Sequence, residues 1–121
     1  MSTNYGKRPK YKNTKVVVDG IKFDSKKEAA RYTELKMFEE IGAISNLELQ
    51  KEFTLIPAQK DLETNKVVER AVKYKADFCY IARDTGEYVV EDVKSEFTKT
   101  KEYILKRKMM LYFHGIRIQE I

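Results

Sequence analysis

The first hydrophobic positions of the chain form two short runs, Val16–Val18 and Ile21–Phe23. Asp19 and Gly20 lie between them, and an Asp-Gly pair flanked by apolar runs favours a two-residue type I′ turn. The pattern therefore predicts a β-hairpin near the amino end of the chain.

A helical period follows this hairpin. Ser25 is suited to be the N-cap, and Glu28, three residues later, completes the capping-box pattern Ser-x-x-Glu. Apolar residues then recur every three or four positions, which predicts a helix over residues 26–41 that ends at Gly42. The positions expected to be buried are Ala29, Tyr32, Leu35, Phe38 and Ile41.

Extended segments occupy the middle of the chain. Residues 44–56 are predicted to form a long strand that Pro57 ends, and residues 59–66 an exposed polar turn. Residues 72–81 and 87–94 have the composition and alternation of two further strands.

The last part of the chain returns to a helical period and then to alternation. A helix is predicted over residues 98–113, Gly115 ends it, and residues 116–121 alternate as a final strand. The element order is thus a hairpin followed by α-β-β-β-α-β, an α+β arrangement. The core positions expected on the second helix are Ile104, Leu105, Met109, Tyr112 and Phe113.

Composition narrows the class of protein. The 121 residues suffice for one domain with a core, and 36% of them are charged. No apolar run approaches the roughly 18 residues of a spanning helix, and no signal peptide is apparent. Cys79 and His114 are the only residues of their types, which excludes an internal disulfide, a cysteine-rich zinc site and a histidine-built metal site. We therefore expect a cytoplasmic protein without a membrane span.

The net charge of +5 is concentrated at the amino end. Residues 1–15 hold five basic side chains and no acidic one, whereas the rest holds 19 of each sign (24 basic less 5). We expect residues 1–14 to be a flexible basic arm before a single domain over residues 15–121. Such an arm suits contact with DNA, and a solubilising terminus is an equal alternative. The arm residues expected to contact DNA are Lys7, Arg8, Lys10 and Lys12.

An acid-x-Lys pattern occurs three times, and one occurrence lies on a predicted strand. Asp92 and Lys94 are two residues apart there, so their side chains should project from the same face. Asp77 lies on the preceding strand, and the short turn at residues 83–86 makes the two strands antiparallel neighbours. The sequence therefore predicts two carboxylates and an ammonium group on one face of the sheet.

These groups are typical of a site that hydrolyses phosphodiesters with a divalent metal. Mg²⁺ takes oxygen ligands, which Asp77 and Asp92 can provide together with the Val93 carbonyl. Lys94 can orient the attacking water or stabilise charge on the phosphate. The structural alternative is a buried Asp–Lys pair at a sheet edge.

Three further side chains are candidates with open alternatives. Glu28 either only caps the first helix or faces the sheet as a third carboxylate, and the spacing favours neither. Lys101 and Lys108 are seven residues apart and should lie one above the other on the second helix. They either form a phosphate clamp or belong to a solvated helix surface.

The segments at residues 19–28, 74–78 and 90–94 together resemble the PD-(D/E)XK nuclease superfamily. More narrowly, the chain is similar over residues 15–121 to a family of small phage and prophage proteins of unknown function with this core. The resemblance implies a restriction-endonuclease-like αβββαβ core in which helices flank a central mixed sheet. The metal site that it implies consists of Glu28, Asp77, Asp92 and Lys94.

Two positions depart from the pattern of that superfamily. Ala76 stands where a proline usually precedes the strand aspartate, and Ser95 follows Lys94 where small phage relatives usually have glycine. Neither departure removes a group of the implied site.

The function implied by the resemblance is a Mg²⁺- or Mn²⁺-dependent DNA endonuclease of phage or prophage origin, acting in the host cytoplasm. Branched recombination or replication intermediates are the first substrates to consider. A single site per chain favours a homodimer for cutting both strands. The alternative is a non-catalytic DNA-binding module that retains the nuclease fold.

Overall fold

The computed structural model of the protein describes residues 15–121, so the expected basic arm at residues 1–14 lies outside the described residues. The described part forms two α-helices, a short 3₁₀-helix at Glu96–Thr98 and eight strands. Their bounds are β1 Val16–Val18, β2 Ile21–Phe23, α1 Lys26–Glu40, β3 Ile44–Ile56, β4 Gln59–Lys60, β5 Val67–Glu69, β6 Val72–Ala82, β7 Tyr88–Asp92, α2 Lys101–His114 and β8 Gln119–Glu120.

A four-stranded mixed sheet with the order β3-β6-β7-β8 forms the centre of the fold. The first three strands are antiparallel neighbours, whereas β8 pairs in parallel with β7. The β1–β2 hairpin and the β4–β5 ribbon are separate two-stranded sheets. The predicted α+β class, with a central mixed sheet flanked by helices and an N-terminal hairpin, is confirmed.

Local chemistry explains the first elements. Asp19 and Gly20 have φ values of +53° and +76°, the left-handed values that a type I′ turn requires. The Glu28 N–H donates to Ser25 Oγ at 3.1 Å, so Ser25 caps α1 as predicted. Gly42 follows the helix with a φ of +82°, as expected of a helix C-terminal glycine.

Two hydrophobic clusters cover the two faces of the sheet. The cluster beneath α1 consists of Phe23, Ala29, Tyr32, Leu35, Ile44, Phe78 and Tyr80. The cluster beneath α2 consists of Phe53, Leu55, Tyr74, Ala76, Cys79, Val90, Tyr103, Met110 and Ile118. Each helix is therefore fixed to the sheet by burial of apolar surface.

Several predicted core positions are wrong. The buried residues of α2 are Tyr103 and Met110, and a residue two positions further on is turned by about 200° around the helix. Near the helix ends the sheet no longer covers the side chains. The residues predicted as buried but found exposed are Phe38 and Ile41 after the buried part of α1, and Leu105, Tyr112 and Phe113 on α2.

Some element bounds also differ from the prediction. Strand β7 ends at Asp92, although the Lys94 N–H donates to the Ile121 carbonyl at 3.2 Å and keeps the chain extended. Helix α2 begins at Lys101 because the Thr100 side chain caps it. The predicted final strand is reduced to β8, and part of the predicted polar turn forms β4.

Within residues 15–121 no helix is both long and apolar enough to cross a membrane.

Candidate functional site

A cleft of about 480 Å³ opens between the amino end of α1, the strands β6 and β7, and the beginning of α2. Its walls include the four residues predicted for the site, which come from three separate elements and the segment after β7. They are Glu28, Asp77, Asp92 and Lys94, together with Val93. The fold thus brings to one place residues that the sequence separates by up to 66 positions (94 less 28).

Lys94 is held by contacts on several sides. Its Nζ lies 3.6 Å from Asp92 Oδ1 and 4.4 Å from the centroid of the Tyr103 ring. Its backbone carbonyl accepts a hydrogen bond from Lys27 Nζ at 3.0 Å. Although β7 ends before it, Lys94 lies on the same side as Asp92, as the spacing predicted.

The two aspartates are oriented by hydrogen bonds from fixed donors. Asp77 Oδ2 accepts from the Val93 N–H at 2.8 Å, and Asp92 Oδ2 accepts from the Tyr74 hydroxyl at 2.6 Å. Because these donors belong to the sheet and the segment that continues it, the direction of each carboxylate is set by the fold.

The Glu28 side chain takes the second of the two roles that its spacing left open, because it faces the sheet. Its backbone N–H completes the cap of α1, while its side chain is buried, with 7% of the residue exposed. Glu28 Oε2 accepts a hydrogen bond from Gln50 Nε2 at 3.1 Å. The carboxylate therefore faces the sheet and the cleft.

Burial and mutual repulsion disturb the ionisation of these carboxyl groups. Burial, followed by the charges of Asp77 and Asp24, raises the pKa of Glu28 to about 7. Burial and the neighbouring Asp77 also raise the pKa of Asp92, against the opposing effect of Tyr74 and Lys94. Both carboxyl groups thus keep their protons to a higher pH than usual, and positive charge beside them would favour their ionised forms.

The donor chemistry fits a hard divalent cation in part. Mg²⁺ is commonly held by one or two carboxylates and completed by water and substrate phosphate, and Asp77 and Asp92 both line the cleft. Within residues 15–121, however, no group of three or more His, Cys, Asp or Glu side chains is placed to hold an ion. The two aspartates therefore match the requirement of a substrate-completed site, not of an all-protein cage.

Gln50 also belongs to this site, although nothing in the sequence predicted it. Besides its contact with Glu28, Gln50 Nε2 lies 3.4 Å from Asp77 Oδ1. Its position on β3 suggests an ordinary exposed strand residue, and no pattern in the sequence indicates otherwise.

Basic side chains other than the predicted ones surround the cleft. Lys27, Lys75 and Lys106 line it, and Lys106 also pairs with Glu102 at 3.2 Å. Lys101 and Lys108, the predicted phosphate clamp, are both exposed and are not among the residues lining the cleft. Of the α2 lysines, Lys106 is the one that lines the cleft.

A buried ion pair adjoins the site on the opposite face of β7. Arg31 donates two hydrogen bonds to Glu91, from Nε at 2.8 Å and from Nη2 at 2.6 Å. The Tyr80 hydroxyl donates to the same carboxylate. Since Arg31 is one turn after Glu28 and Glu91 precedes Asp92, this pair fixes α1 to β7 directly beside the site.

A protein-family model with the description "Protein of unknown function (DUF1064)" matches residues 8–120. The match covers nearly the whole chain and begins before the described residues. Searches of the curated proteins and of the solved structures found no match.

Proposed function

We propose that this chain, which belongs to the DUF1064 family of proteins of unknown function, is a Mg²⁺- or Mn²⁺-dependent DNA endonuclease. The observation that carries the proposal is the meeting of Asp77, Asp92 and Lys94 in one open cleft beside Glu28. The resemblance of the same four positions to the PD-(D/E)XK nucleases supports the same chemistry.

The carboxylates would hold the cation. When bound, a divalent cation supplies positive charge that polarises a phosphodiester and lowers the pKa of water beside it. Asp77 and Asp92 would hold it, since their carboxylates are adjacent and oriented by the Val93 N–H and the Tyr74 hydroxyl. Glu28, buried at the same cleft, would provide a third carboxylate once a bound cation favours its ionised form.

Lys94 would act on the phosphate and the attacking water. Its ammonium group has three donors, and its contacts with Asp92 and the Tyr103 ring keep it at the cleft. From that position it stabilises negative charge that builds on the phosphate oxygens as the water attacks. The products would carry 5′-phosphate and 3′-hydroxyl ends.

DNA would be held mainly through its phosphates. Lys27, Lys75 and Lys106 place positive charge around the carboxylates, and such lysines bind phosphate without reading sequence. Branched DNA is the first substrate to test. A homodimer, an origin in a phage or prophage and a place of action in the host cytoplasm belong to the same proposal.

A non-catalytic DNA-binding module is the second candidate. It is favoured by the finding that no group of three or more metal-ligating side chains is placed to hold an ion within residues 15–121. Incubation of labelled duplex and four-way-junction DNA with Mg²⁺, Mn²⁺ or EDTA separates the two. We expect the DNA to be cut with either metal and not in EDTA. DNA that the protein binds but leaves intact under all three conditions would favour the binding module.

A further inference from the structure

We propose that Gln50 is a positioning residue of the cation site, whose side-chain amide holds Glu28 and Asp77 in the arrangement that a divalent cation requires. The inference rests on the proposed function and concerns the same site. It assigns a role to a neutral side chain on β3, an element that contributes none of the four residues implied by the resemblance.

The contacts of Gln50 join three elements at one nitrogen atom. Nε2 lies 3.1 Å from Glu28 Oε2 on α1 and 3.4 Å from Asp77 Oδ1 on β6. A side-chain amide nitrogen carries two hydrogens, so one group can donate to both carboxylates. The amide therefore sets the separation of Glu28 and Asp77.

The backbone of β3 is irregular at this residue. Gln50 has a φ of +55°, a left-handed value that residues other than glycine, asparagine and aspartate rarely adopt. Leu47 and Leu49 pack in the cluster beneath α1, whereas Phe53 and Leu55 belong to the cluster beneath α2. In a regular strand these odd-numbered residues would all lie on one face of the sheet. Here the side chains before and after Gln50 lie on opposite faces, so the strand turns over next to this residue.

Strand β6 reverses its faces at the same level. Tyr74 and Ala76 belong to the cluster beneath α2, whereas Phe78 and Tyr80 belong to the cluster beneath α1. The register pairs Lys51 with Ala76 and Leu49 with Phe78, which places residue 50 opposite Asp77. The irregular backbone and the site therefore coincide, as expected where local strain serves function.

An amide suits this position better than a charged group. Glu28 and Asp77 repel each other, and a neutral donor between them offsets the repulsion without cancelling their charge. A lysine at position 50 would neutralise the site that has to attract a cation. Each carboxylate oxygen retains a lone pair for coordination after it accepts a hydrogen bond.

Two variants of Gln50 and one control separate positioning from folding. Gln50→Met keeps the length of the side chain and the backbone constraint but removes both donors. Gln50→Gly also removes the donors and relieves the left-handed backbone, so its folding is not hindered. The control is Asn46→Gly, which changes the other left-handed residue of β3, with a φ of +59°.

The measurement is thermal unfolding of the full chain during a titration with Mg²⁺, without DNA. We expect both Gln50 variants to need about 10- to 100-fold more Mg²⁺ for half of the stabilisation, and Asn46→Gly to match the wild type. In cleavage assays over a range of DNA concentrations, the loss of kcat should disappear as Mg²⁺ is raised, while KM for DNA stays constant. Wild-type Mg²⁺ midpoints in both Gln50 variants, or an equal shift in Asn46→Gly, would overturn the proposal.

The same titration distinguishes failure of this inference from failure of the nuclease function. A wild type that binds Mg²⁺ but cuts no DNA overturns the endonuclease, and the midpoints of the variants still decide the role of Gln50. A wild type whose unfolding responds to neither Mg²⁺ nor Mn²⁺ overturns both.

Discussion

Lys94 illustrates how one residue acquires a chemical role from its surroundings. Its ammonium group lies 3.6 Å from an Asp92 oxygen and 4.4 Å from the centre of the Tyr103 ring, and its own carbonyl is bound by Lys27. A lysine with these contacts is ordered before any substrate arrives. Preorganised charge of this kind stabilises a transition state without further rearrangement.

Replacement of Lys94 by glutamine should therefore impair chemistry more than binding. We expect kcat for DNA cleavage to fall by about 10²- to 10³-fold, because a charged donor at the phosphate is removed. The Mg²⁺ midpoint in thermal unfolding should be kept, since Asp77 and Asp92 remain. Lys75→Gln, which changes another lysine of the cleft, serves as the control and should affect mainly KM. A Lys94→Gln enzyme with wild-type kcat would contradict this role.

Glu28 makes the stability of the metal-free protein depend on pH. Its pKa is raised from 4.5 to about 7, so the folded state binds a proton that the unfolded state has released between those values. Its stabilising contribution is complete below pH 4.5 and is lost as the pH rises to about 7.

In EDTA, the free energy of unfolding should consequently decrease from pH 4.5 to 7. Asp92 acts in the same direction because its pKa is raised as well. Glu28→Gln should reduce the decrease, and urea unfolding across this range measures it. Equal slopes for the variant and the wild type would show that Glu28 is not buried in its neutral form.

At the scale of elements, the position of α1 relative to β7 determines the site. Glu28 comes from the helix and Asp92 from the strand. The buried Arg31–Glu91 pair joins the same two elements, because Arg31 is one helical turn after Glu28 and Glu91 directly precedes Asp92. The side chain of Arg31 is 19% exposed and that of Glu91 only 2%, so the pair is shielded from water. Shielded pairs are costly to break because one charge remains buried without its partner.

Arg31→Met should destabilise the protein by about 3–5 kcal/mol in urea unfolding, since the Glu91 carboxylate then has no counter-charge. The double variant Arg31→Met/Glu91→Gln should recover part of that stability, because a buried amide costs less than a buried carboxylate. A decrease of roughly 1 kcal/mol or less for the single variant, as for a surface pair, would contradict this account.

Much of the element order was predictable because local signals and the fold agree. The Asp19–Gly20 turn, the Ser25 cap and the long strand β3 each depend on neighbouring residues, and the structure confirms them. Asp92 and Lys94 were predictable as a pair since their spacing alone places them on one side. The spacing alone did not decide the role of Glu28, because the burial of its side chain depends on how α1 packs against the sheet.

What the sequence could not show depends on tertiary geometry. The reversal of faces at Gln50 leaves the alternation of apolar residues in β3 intact, so the pattern hides it. The face of α2 was misjudged because apolar residues surround that helix, and only the sheet selects Tyr103 and Met110 for burial. Lys27 and Lys75 gave no signal, since single lysines near a helix start or on a strand are ordinary surface residues.

At the scale of the whole molecule, charge is divided between the chain's two parts. The excess of basic side chains lies in residues 1–15, whereas basic and acidic side chains are equal in number in residues 16–121. Deletion of residues 1–14 should weaken DNA binding and make it less dependent on salt, by about 0.9 in the log–log slope for each phosphate that the shortened chain no longer neutralises. Binding measured over a range of salt concentrations tests this, with thermal unfolding as the control for folding. An unchanged slope would leave the basic segment without a role in binding.

The most direct test of the central claim is a cleavage assay of wild type and Asp92→Asn on labelled DNAs. The panel would contain linear duplex, single strand, nicked duplex, fork and four-way junction, each with Mg²⁺, Mn²⁺ or EDTA. Glu102→Gln, which changes a cleft carboxylate outside the proposed metal set, is the matched control. We predict metal-dependent cutting by wild type and control that Asp92→Asn abolishes. Cutting by Asp92→Asn at the wild-type rate, or intact DNA that the wild type binds without cutting, would contradict the account.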